Sequence, residues 1–162
     1  MHRKEIEAYI APLKPLATGL KRGGQLGDKP QCILFDIYGT LFISASGDIS
    51  VVHNHSDQSA HLGTLLKKYH QDIPPEALTQ RLFNHIETEH HRLRARGIDY
   101  PEVQIDQIWH EILDFENLPR ARRFAVEYEM IVNPVYPMPH LAQTLRTCRN
   151  RNIVLGIISN AQ

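Results

Sequence analysis

Two apolar runs interrupt a chain whose other hydrophobic positions recur mostly at helical spacing. Cys32-Ile33-Leu34-Phe35 and Ile153-Val154-Leu155-Gly156-Ile157-Ile158 are short and continuous, the pattern of strands covered on both faces in a parallel sheet. The first ends at Asp36 and the second at Ser159-Asn160. In open α/β sheets ligands bind at the carboxyl ends of the strands, so these polar residues are the first candidates for chemistry.

Between the two runs the spacing predicts helices. Ser56 can cap a helix carrying Leu62, Leu65, Leu66 and Tyr69. Pro74-Pro75 opens a second with Leu78, Leu82, Phe83, Ile86 and Leu93, closed near Gly97. Pro101 opens a third through Val103, Ile105, Ile108, Trp109, Ile112 and Leu113. Pro119 opens a fourth through Phe124, Val126, Tyr128 and Ile131, stopped by Asn133-Pro134. Four amphipathic helices on short links predict a small bundle over residues 54 to 133. Val135 to Pro139 reads as a turn back, and His140 to Arg149 as a crossover helix with Leu141, Leu145 and Cys148 inward.

Upstream, Ile6, Tyr9, Ile10, Leu13 and Leu16 fall near helical spacing but are interrupted by Pro12 and Pro15, predicting a short helix and an irregular link in a leader of residues 1 to 30. After Thr40, Leu41-Phe42-Ile43 and Ile49-Ser50-Val51-Val52 flank Gly47-Asp48, which predicts a small hairpin.

With these elements in place, Phe35-Asp36-Ile37-Tyr38-Gly39-Thr40-Leu41 resembles the first motif of the haloacid dehalogenase-like (HAD) hydrolases, and Ile157-Ile158-Ser159-Asn160 is similar to their second. The resemblance implies an incomplete Rossmann-like α/β core over residues 31 to 53 and 134 to 162, with the helical bundle inserted as a cap. It implies that Asp36 is a covalent nucleophile and that Thr40, Ser159 and Asn160 bind a small anionic substrate. It also implies that Asp36 and the Tyr38 main-chain carbonyl contribute to a Mg²⁺ site, weakly, because the family's third and fourth motifs do not follow within the chain. We therefore expect a fragment or a shortened relative, inactive on its own.

Tyr38 departs from the family's phosphatases, which carry a second aspartate two residues after the nucleophile. An alkoxide leaves poorly unprotonated, and a phenol of pKa about 10 is a weak general acid at neutral pH. Tyrosine here resembles the 2-haloacid dehalogenase branch, whose halide leaves without a proton and needs no Mg²⁺. The substrate is thus left between a phosphate ester and a 2-haloacid. A non-catalytic interaction or oligomerisation module is the alternative to the enzyme.

Composition narrows the partners. With 18 Lys+Arg against 18 Asp+Glu the chain lacks the basic excess that nucleic-acid binding needs. No run approaches a membrane span and the start lacks a secretory signal, so a cytoplasmic protein is expected. Cys32 and Cys148 make no disulfide framework and read as buried thiols. His53, His55, His85, His90 and His91 have no metal-ligand spacing, and Arg92, Arg94, Arg96, Arg120, Arg122 and Arg123 read as a solvated face. Two core strands are too few to bury an α/β core, so the expectation is either pairing with a second copy, through the cap helices or the leader, or a proteolytic remnant.

Overall fold

A computed structural model describes residues 3–17, 19–21, 23–24, 27–44 and 56–159. The chain is mixed α/β and divides into two units. One is helical, with residues 52–132 and the first six residues; the other holds the strands, with residues 7–51 and 133–162.

The helical unit contains α1 (Arg3–Glu7), α2 (Ser56–Lys68), α3 (Pro75–Arg94), α4 (Ile105–Ile112) and α5 (Leu118–Val132). The helix ends follow local chemistry. Pro75 stands at the first turn of α3, where a missing N–H costs nothing. Beyond its end, Gly97 adopts φ +83. Asn117 caps α5, its Oδ1 accepting the Arg120 N–H at 3.0 Å. At the other end Gln58 Nε2 donates to the Val132 carbonyl at 3.1 Å, satisfying a carbonyl that no further turn can reach. Helix α4 begins at Ile105, four residues later than Pro101 predicted. Helix α1 ends at Glu7, because Pro12 and Pro15 break the pattern beyond it; Leu16 and Leu20 are 94% and 84% exposed there.

The core of this unit is aromatic. Phe124, fully buried, sits edge-on to Trp109 at 5.0 Å and to Tyr69 at 5.2 Å between ring centroids, with Phe115 and Tyr128 completing the cluster. Glu127 is buried in the same core. Its carboxylate accepts from Tyr69 Oη at 3.0 Å, from Lys68 Nζ and from Arg123 Nε at 3.2 Å, so the charge is compensated by two cations and a phenol. Arg123 also reaches Glu5, tying α1 to α5.

The second unit contains β1 (Cys32–Phe35), β2 (Phe42–Ser44), β3 (Val135–Pro137), α6 (Leu141–Asn150) and β4 (Val154–Ile157). Strands β1 and β4 pair in parallel, Cys32 opposite Val154 and Phe35 opposite Ile157, with β4 following α6 as a crossover requires. Strands β2 and β3 pair antiparallel, Phe42 opposite Pro137 and Ser44 opposite Val135. Residues 135–137 are thus a strand and not a turn. The hairpin expected after Thr40 has its second arm outside the described residues, and its first arm pairs with β3.

The expectation of strands dry on both faces is corrected. Leu34, Val154, Ile157 and Ile158 are all more than half exposed, and Cys32 is exposed while Cys148 is buried. The register puts Cys32, Leu34, Val154 and Gly156 on one face, and among the described residues α6 is the only helix of this unit's size to cover a sheet of two strands. Apolar content at every position reflects burial capacity; coverage needs a second layer on each side.

Two predictions follow from the helical core. Phe124→Ala, which removes the ring all the others contact, should cost about 3–5 kcal/mol in urea unfolding of the full chain. Burial raises the Tyr128 phenol above its ordinary value, against a lowering hydrogen bond with Thr79. The fold therefore favours the neutral phenol: this contribution is complete below the unfolded pKa of about 10 and is lost as pH rises through the raised one. Thermal unfolding should shift down above about pH 10, and Tyr128→Phe should flatten that fall.

Candidate functional site

The candidate residues lie where β1 gives way to a tight loop. The loop is closed by its own backbone: the Ile37 carbonyl accepts from both Leu41 and Phe42 N–H at 2.9 Å, and Gly39 N–H donates to the Phe42 carbonyl at 2.8 Å. Gly39 adopts φ +75, left-handed backbone that a side chain disfavours. This is the turn that Gly39-Thr40 predicts. It folds the chain back into β2 within a few residues and leaves Asp36, Tyr38 and Thr40 exposed on its rim.

The parallel register continues past the strand ends, since Ile158 N–H donates to the Phe35 carbonyl at 2.9 Å. Ile158 is therefore level with Asp36, and half-buried Ser159 follows it on the neighbouring strand. Asp36 and Ser159 thus emerge at the carboxyl ends of adjacent parallel strands, with Tyr38 and Thr40 on the connecting loop. Asn160, the remaining candidate, lies outside the described residues, as do His53 and His55.

Gly156 sets how closely β1 and β4 share one face. A methyl group there would stand 2.6 Å from Leu34 Cδ2, so Leu34 lies across the bare backbone of β4. Because Leu34 is 57% exposed, it has room to swing away.

For a Mg²⁺ ion this unit offers the Asp36 carboxylate and the Tyr38 carbonyl, both on the exposed rim. Two oxygen donors leave four positions of an octahedral ion to water or substrate. Among the described residues no group of three or more His, Cys, Asp and Glu side chains could hold a metal.

In the helical unit Arg92, Arg120, Arg122 and Arg123 are paired with acids. Arg122 Nε meets Asp106 Oδ2 at 2.7 Å and holds that carboxyl below its usual range; Arg92 does the same to Glu89. Arg120 pairs with Glu116 and stacks over the Tyr69 and Phe115 rings at 5.8 and 5.7 Å. His85 contacts Glu111 at 3.0 Å.

His140 has an unusual backbone for a helix start. Met138 N–H donates to the Leu41 carbonyl at 2.9 Å, extending the β2–β3 ladder toward the Asp36 loop, and His140 follows two residues later as the residue before α6. Its φ is +65, and its side chain makes no capping hydrogen bond. The signal available in the sequence was a histidine, not Ser, Thr, Asp or Gly, at a helix start.

Gly39→Ala should lower the stability of the strand unit by about 1–2 kcal/mol, the cost of holding a Cβ in left-handed backbone; Gly156→Ala should cost less, because Leu34 can yield. Urea unfolding of both variants checks the order. Comparison of the chain with family models, with curated proteins and with solved structures finds no match.

Proposed function

We propose that the chain is a HAD-like hydrolase in which Asp36 attacks a small anionic substrate. The observation that carries this reading is the exposed Asp36 carboxylate at the carboxyl end of a parallel strand, one strand away from Ser159. A carboxylate there has solvent access, sits in the region where open α/β sheets bind ligands, and is flanked by hydroxyls able to donate to an anion.

The chemistry proceeds in two steps. An Asp36 oxygen attacks the substrate carbon or phosphorus, the leaving group departs with its bonding pair, and a covalent aspartyl ester or acyl phosphate forms. Water then cleaves that adduct, releasing product and restoring the carboxylate. Thr40 and Ser159 donate hydrogen bonds to the substrate's carboxylate or phosphate, joined in this reading by Asn160. With a 2-haloacid the leaving halide needs no proton, which suits Tyr38. With a phosphate ester, Mg²⁺ would be held by Asp36 and the Tyr38 carbonyl and would neutralise phosphate charge.

A second reading, a non-catalytic interaction or oligomerisation module, has in its favour the exposed apolar side chains of Leu34, Val154, Ile157 and Ile158.

A panel of phosphate esters and 2-haloacids, presented to the full chain with and without Mg²⁺, separates the two. The hydrolase reading expects turnover of at least one class and a loss of 10³-fold or more in Asp36→Asn, on the order seen when a catalytic nucleophile is removed. Equal rates in the two proteins would remove Asp36 from the mechanism.

A further inference from the structure

We draw no further inference here: the strongest candidate, the open apolar face of the β1–β4 sheet where Leu34 and Val154 stand exposed, carries none because nothing in the structure shows what covers it.

Discussion

The parallel pairing of β1 with β4 is the constraint on which the strand unit depends. Parallel neighbours cannot be joined by a tight turn, so the chain must leave the end of β1, cross and return to the start of β4 in the same direction. Here that excursion contains the helical unit, the β2–β3 ladder and α6. The closure is long-range and entropically expensive, and it is held by few contacts: a four-residue ladder extended by one hydrogen bond at each end, Val154 to Gln31 and Ile158 to Phe35. Those same bonds bring Asp36 and Ser159 to one edge, so the pairing that is hardest to form is also the one that assembles the candidate site.

The two units differ in how they meet the demands of burial. The helical unit has a dense core, with four aromatic rings around Phe124 and a buried carboxylate that accepts from Lys68, Tyr69 and Arg123. Its specificity comes from Glu127 as much as from apolar area, because an unpaired charge there would be far more costly than a misplaced methyl group. The strand unit buries little: Leu41, Ile43, Cys148 and Ile153 are its buried apolar residues among those described. A sheet of two strands with apolar side chains on an open face has capacity for more packing than it uses.

Much of this was legible in the sequence, for physical reasons. Helices α3 and α5 were bounded by Pro75, Gly97 and Pro134, residues whose backbone limits act locally, and β1 and β4 stood out because continuous apolar runs of that length fit strands. What escaped depended on partners distant in the chain. Val135-Tyr136-Pro137 contains a proline and reads as a turn; it is a strand only because Phe42–Ser44 lies alongside. The exposure of Leu34 and Val154 could not be read from their hydrophobicity, since composition says what a strand can bury and not what lies above it. At the candidate site, Asp36 was visible from its place after an apolar run, whereas the level of Ser159 beside it became visible only with the Ile158–Phe35 bond.

The account's central claim is that the Asp36 carboxylate forms a covalent bond to its substrate. Peptide mass spectrometry of the full chain, acid-quenched during turnover, tests this most directly. The account predicts an added phosphoryl or acyl-alkyl mass on the peptide containing Asp36, absent from the Asp36→Asn protein. An adduct mapped to any other residue, or sustained turnover with no adduct on that peptide at any quench time, would contradict it.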